Sequence, residues 1–256
     1  MFRKSSAPHL EKGLFLHGFL GSGQDWQALL SELAFPILAW TPDLPGHGPN
    51  TQSVPDFETC LSQLGSQWLR AQTEPLHLLG YSMGGRLALG LALRYPEKVK
   101  SLCLISASAG LADENLRLQR QSWEAEWAHT FRSQPLLASI EAWYAQPLFH
   151  PFRSSSGYNQ ACQERLRNNP EGLAQAMVKL GAGQQKSYWN RLAELKMPLL
   201  FLVGSKDPAY LEIGRRICQQ VERAELEILN GYGHSLILEA PRELAKKISL
   251  FLKAAS

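Results

Sequence analysis

Leu76-His77-Leu78-Leu79-Gly80-Tyr81-Ser82-Met83-Gly84-Gly85-Arg86 is the stretch that decides the fold. Gly80 to Gly84 matches the G-x-S-x-G pattern, in which a serine occupies a sharp turn between a strand and a helix. The apolar run Leu76-His77-Leu78-Leu79 predicts a short buried strand, and Arg86 to Tyr95 (RLALGLALRY) predicts a helix closed off by Pro96. Glycines on both flanks of the serine let backbones pass closely at the turn. Such a turn lifts the Ser82 hydroxyl clear of a sheet and aims the helix N-terminus, with its free N–H groups, at any anion that forms beside it. A Gly-Ser-Gly loop without chemical meaning can carry the same letters; the strand before and the helix after separate an elbow from such a loop.

Upstream, Gly13 to Leu16 reads as a core strand running into His17-Gly18-Phe19-Leu20-Gly21-Ser22. A glycine-rich loop at a strand's end can present backbone N–H groups to an anion. Beside an elbow serine that loop is the expected source of one oxyanion donor, assigned to the N–H of Phe19, with the N–H of Met83 as the second. His17 has a base's composition but reads as a structural histidine bracing the loop, because a better-placed base follows later in the chain. Asp25 is expected to cap a helix that runs to Leu33. Ile37 to Trp40 predicts a strand, and the proline- and glycine-rich Thr41 to Pro49 a rigid loop. Turn chemistry explains Asp43, and neither it nor His47 is read as catalytic. Phe57 to Ala71 predicts a helix and Val99 to Ala107 a strand. Alternating strands and helices imply a parallel sheet covered on both faces.

The alternation breaks from Gly110 to about Leu195, where the pattern is helical and four of the seven tryptophans fall: Trp123, Trp127, Trp143 and Trp189. It resumes with strand Pro198 to Val203, helix Tyr210 to Val221, strand Ala224 to Ile228 and helix Pro241 to Leu252. An aromatic-rich helical insert in a doubly wound sheet reads as a lid that shapes a pocket and excludes water. The expected organisation is a core of residues 1–109 and 196–256 with a lid of residues 110–195.

A serine hydroxyl needs a base near neutral pH, and the base needs an orienting carboxylate. With an elbow serine the chain order is serine, acid, histidine. Val203-Gly204-Ser205-Lys206-Asp207-Pro208 sets Asp207 past one strand end, and Gly231-Tyr232-Gly233-His234 sets His234 past the next. Ser82, Asp207 and His234 are therefore the expected triad. Asp207 could serve as an Asx-turn or cap before Pro208 while also holding His234, and Glu239 is the reserve acid, with a helix N-terminal role as its other reading.

The whole composition bounds these readings. Hydrophobic content of 45% and charged content of 19% are those of an ordinary globular chain. A net charge of +3 leaves no electrostatic footprint for nucleic acid. MFRKSSAPHLEKG lacks the apolar core of a secretory signal, and no apolar run is long enough to span a membrane. Cys60, Cys103, Cys162 and Cys218 are scattered, as expected of free thiols in a reducing compartment. The expectation is a cytoplasmic monomer or homodimer.

HGFLGSGQDW, DLPGHG, GYSMGG, GSKD and GYGH, in that order, resemble the α/β-hydrolase superfamily over nearly the whole chain. The resemblance implies an α/β fold: a doubly wound, mostly parallel sheet with a helical lid insert. Gly80-Tyr81-Ser82-Met83-Gly84-Gly85-Arg86, Arg117-x-x-Arg120 before Trp127-Ala128, Trp143-Tyr144-x-x-Pro147-Leu148-Phe149 and Leu166-Arg167-Asn168-Asn169 are similar to one family. It is the 2-succinyl-6-hydroxy-2,4-cyclohexadiene-1-carboxylate synthases of menaquinone and phylloquinone biosynthesis. That resemblance implies a lyase that eliminates pyruvate from 2-succinyl-5-enolpyruvyl-6-hydroxy-3-cyclohexene-1-carboxylate, without metal or organic cofactor. It implies a small polycarboxylate substrate, which the arginine fork suits. Arg86, one helical turn beyond Ser82, shares the serine's face. Arg120 and Arg167 are implied to approach from the lid, with Tyr81 and Trp143 lining the pocket. Where the family often has aspartate after the lid arginine pair, this chain has Glu124. A serine esterase or C–C bond hydrolase is the alternative that the triad alone allows, and a non-catalytic ligand-binding member of the fold is a third.

Overall fold

The computed structural model describes residues 10–50 and 53–256. Most of the N-terminal stretch read above for a secretory signal therefore lies outside the described residues. Six strands, β1 (Glu11–Leu16), β2 (Ile37–Trp40), β3 (Leu76–Tyr81), β4 (Val99–Ile105), β5 (Leu199–Gly204) and β6 (Ala224–Leu229), form one sheet in the order β2-β1-β3-β4-β5-β6. Every pairing is parallel. The strands match the six expected segments within a residue or two at each end, because parallel strands buried on both faces are the most apolar runs in a sequence.

Side chains alternate between two cores, as strand geometry requires. Leu14, Leu16, Leu78, Leu102 and Leu104 pack into one, and Phe15, Leu79, Cys103 and Ile105 into the other. The first core is covered by α2 (Phe57–Leu64), α3 (Met83–Arg94) and α9 (Pro208–Gln220); the second by α1 (Gln27–Ser31) and α11 (Pro241–Ala254). Between β4 and β5 run α4 (Glu114–Ser133), α5 (Leu136–Tyr144), α6 (His150–Arg153), α7 (Tyr158–Arg165) and α8 (Pro170–Lys179). These helices close on a third core of their own, with Phe131, Ile140, Trp143, Phe152 and Leu173 among its buried residues.

Several local expectations change. Asp25 does not cap a helix: Ser22 accepts from the N–H of Gln24 to start a 3₁₀ turn, Gly23–Trp26, and Asp25 is drawn into a buried ion pair. The helix from Phe57 loosens into a wide π turn at Gly65–Leu69, where a Cβ on Gly65 would lie 2.1 Å from the Tyr95 ring. Trp189, expected in the lid, packs against the first sheet core, and its indole N–H donates to the Gly110 carbonyl at 2.9 Å. A short helix, α10 (Leu236–Glu239), follows His234 and was not legible. The cysteines are unpaired, and no helix among the described residues is long and apolar enough to cross a membrane.

Candidate active site

Ser82 stands between β3 and α3 with φ 51° and ψ −109°, a positive φ that costs a serine about 1–3 kcal/mol and is held by its surroundings. Its N–H donates to the Ile105 carbonyl at 2.9 Å, and its carbonyl accepts from Arg86 N–H at 3.1 Å. The flanking glycines are steric necessities. A Cβ on Gly80 would lie 2.4 Å from the Gly84 carbonyl oxygen, and one on Gly84 would lie 2.1 Å from that of Leu16. The β1–β3 register, Leu16 beside Gly80, brings the loop after β1 against the elbow.

His234 Nε2 lies 3.1 Å from Ser82 Oγ, and His234 Nδ1 lies 2.7 Å from Asp207 Oδ2. A carboxylate only accepts, so Nδ1 carries the proton and Nε2 is left to take one from the serine. Asp207 and His234 are both buried. Asp207 does two jobs, since its Oδ1 also accepts from Tyr210 N–H at 3.4 Å at the start of α9. Glu239 is no reserve acid. Its carboxylate accepts from the N–H groups of Gly233 at 2.8 Å and Ser235 at 2.9 Å, clamping the backbone on either side of His234. Burial raises its pKa, and those two N–H groups work against the rise.

His17 and His47 lie beneath the loop rather than in the chemistry. His17 Nδ1–H donates to the Gly18 carbonyl at 2.8 Å, and Nε2 accepts from Leu44 N–H at 2.9 Å. Burial lowers the pKa of His17 to about 4 and that of His47 to about 3, so both are neutral braces. Asp43 Oδ1 accepts from Gly23 N–H at 2.7 Å, which ties the loop after β2 to the one after β1 across twenty residues rather than closing a turn of its own.

Ser82 and His234 open on a cavity of about 150 Å³ that is also lined by Phe19, Met83, Arg86, Arg120, Trp123, Glu124, Trp143, Phe149 and Tyr210. Met83 N–H, the first of α3, has no intrahelical acceptor. Trp143 packs edge-on against Phe19 at 4.9 Å and Trp127 at 5.0 Å, joining lid to loop. Arg86 is buried, and its Nη2 donates to the Leu180 carbonyl at 2.8 Å. Burial lowers its pKa to about 10, which leaves it charged at neutral pH. Arg120 stacks over Trp123 at 4.1 Å, and its Nε donates to Glu124 Oε1 at 2.7 Å.

Two expected pocket residues sit elsewhere. Tyr81 faces the second sheet core, because strand alternation turns it away from Ser82; its ring packs under Gly18 and its hydroxyl donates to Ser235 Oγ at 3.4 Å. Arg167 is exposed in the turn just past α7 and does not line the cavity. Arg165 and Asn168, three residues apart and so on one face, turn inward instead. Arg165 makes a buried bidentate pair with Asp25 at 2.7 and 2.8 Å, and Asn168 donates to the Leu20 carbonyl at 3.0 Å. Burial pulls the pKa of Arg165 down and the Asp25 carboxylate more than offsets it, so the guanidinium stays charged. Glu124 and Tyr210 were missed as cavity residues. The four-residue spacing of Arg120 and Glu124 carried a signal for the first.

The architecture and the Ser-His-Asp geometry define an α/β hydrolase. The chain belongs to the α/β hydrolase family, whose sequence profile matches residues 14–247. Within that family it is 30% identical to the 2-succinyl-6-hydroxy-2,4-cyclohexadiene-1-carboxylate synthase of Pectobacterium atrosepticum, over 93% of this chain and 92% of that protein. It is 28% identical to the enzyme of the same name from Enterobacter sp., over 94% of this chain and 91% of that one. The solved structure of MenH from S. aureus superposes with a TM-score of 0.89 at 27% identity, covering 96% of this chain and 94% of that one. On this likeness the chain falls within the synthase family.

Proposed function

We propose that this protein is a lyase that eliminates pyruvate from 2-succinyl-5-enolpyruvyl-6-hydroxy-3-cyclohexene-1-carboxylate to give 2-succinyl-6-hydroxy-2,4-cyclohexadiene-1-carboxylate. The observation that carries the reading is a Ser82-His234-Asp207 relay opening on the same small cavity as two guanidiniums, Arg86 and Arg120. That substrate bears three carboxylates, and a neutral ester would have no use for two charged forks beside the nucleophile. Its likeness to the named synthases supports the same reading.

In this mechanism Ser82 acts as a base. His234 Nε2 takes the serine proton, Asp207 holds the imidazolium, and the serine oxygen removes the ring proton alpha to the succinyl ketone. The N–H groups of Phe19 and Met83 stabilise the enolate oxygen. The electron pair moves through the ring alkene and breaks the carbon–oxygen bond to the enolpyruvyl group. That group leaves as the pyruvate enolate, and the proton carried by His234 converts it to pyruvate. No acyl-enzyme forms. Trp143, Trp123 and Phe149 keep the cavity wall apolar, which strengthens the arginine–carboxylate contacts.

The test is pyruvate release, followed with a coupled dehydrogenase, from substrate made in situ. Release by the native protein, reduced about a thousandfold or more in Ser82→Ala, is the expected result. No release, together with Ser82-dependent cleavage of nitrophenyl esters, would replace the lyase with a serine hydrolase.

A further inference from the structure

Tyr210 lies where three structural features meet. It lies in the first turn of α9, three residues after Asp207, and its backbone N–H bonds the triad carboxylate. Its ring lies against His234, with centroids 4.5 Å apart and planes at 55°. It also belongs to two spaces at once. With Arg120 and Ala182 it lines the catalytic cavity, and the same three residues line an outer groove of about 620 Å³ that runs past Leu116, Trp189 and Ile213. These residues are thus the wall between the reacting centre and the groove.

The ring already has a structural role against His234, and a phenylalanine would fill it. The hydroxyl is different. No protein group among the described residues bonds to it, and in this half-buried residue the hydroxyl is not sealed in but open to the space it lines. Burial raises the phenol's pKa, and the charges of Arg120 and Arg86 pull it back. The phenol is therefore protonated at neutral pH and within the field of both guanidiniums, with a donor hydrogen to place. A phenol open on the wall of a cavity that also holds two arginines matches an anion that fills the remaining space.

We infer that Tyr210 is a substrate-binding residue whose hydroxyl donates a hydrogen bond to a substrate carboxylate, alongside Arg86 and Arg120, at the wall between cavity and groove. The inference rests on the polycarboxylate substrate of the proposed function. It assigns to one phenol the selection of an anionic substituent at the entrance, whereas the reacting ring faces Ser82 and His234.

Tyr210→Phe tests it, because the variant keeps the ring on His234 and the N–H on Asp207. A single hydrogen bond to a charged group predicts KM for pyruvate release raised about tenfold, with kcat within about twofold. A second measurement needs no turnover: succinate binding, read from the emission of the cavity residues Trp123 and Trp143, should weaken by a similar factor. Unchanged KM and unchanged succinate affinity overturn the inference. So does a fall in kcat alone with a displaced pH profile, which would make the hydroxyl a positioning group for His234. If the native protein binds succinate but releases no pyruvate, the lyase reading fails and the succinate comparison still decides Tyr210. A native protein that does neither overturns both.

Discussion

On the proposed function, Arg120 is a side chain already set in place for an anion. Glu124 holds its Nε at 2.7 Å and Trp123 lies under its plane, so little rotamer freedom is left to lose on binding. The carboxylate takes one edge of the fork and leaves the others for the cavity. If the guanidinium holds substrate and transition state alike, as the proposed function has it, Arg120→Ala should raise KM about tenfold or more and leave kcat nearly intact. Steady-state pyruvate release decides this, and a loss in kcat with KM unchanged would mean that Arg120 stabilises the developing charge. At this scale the sequence was legible wherever a residue's role is local. Ser82 is marked by its glycines, and Asp207 and His234 by short loops after strands. Arg86 is marked by its distance of one turn from the serine. Arg167 misled because a motif marks a segment without saying which side of the helix turns inward; Arg165 and Asn168 do.

Among the elements, α7 and the loop after β1 form a joint that no local pattern announces. Asp25 and Arg165 are 140 residues apart in sequence and both nearly excluded from water. The Tyr144 hydroxyl oxygen accepts from Arg165 Nε at 3.2 Å, and Asn168 links Leu20 to Gly48. The joint fixes the lid against the loop that carries Phe19. From sequence alone Asp25 reads as a helix cap, because an aspartate before an amphipathic run usually is one. Only the folded chain supplies the partner that overrides that preference. A buried ion pair is weak evidence of net stability, but removing one member strands the other charge. Asp25→Ala should therefore cost about 3–5 kcal/mol, and adding Arg165→Met should restore much of the loss. Denaturant unfolding of the single and double variants checks it. A double variant as unstable as the single would mean that the pair is needed for the joint's shape rather than for neutralising charge.

Over the whole molecule, three histidines buried neutral couple folding to pH. His17 braces the loop after β1, with its pKa lowered to about 4; His47 packs beside it, lowered to about 3; His77 lies in β3, lowered to about 4. Desolvation is the leading cause in each. The unfolded chain returns each to about 6.5, so below that pH the unfolded state binds protons that the folded state refuses. Their contribution is complete above pH 6.5 and is lost as pH falls through the folded values. For His17 alone the loss reaches about 3 kcal/mol by pH 4, a large share of the roughly 5–15 kcal/mol that holds a domain together. The urea midpoint should thus fall steadily from pH 6.5 to pH 4, before most carboxylates are protonated. Because His17 and His47 lie under the loop that carries Phe19, the loss should appear at the active site as well as globally. Pyruvate release should fail irreversibly with acid only where the urea midpoint has already collapsed. A midpoint that stays flat to pH 4 would show that these imidazoles accept protons without unfolding, stabilised by water or, for His77, by the Glu11 carboxylate 3.6 Å from its Nε2.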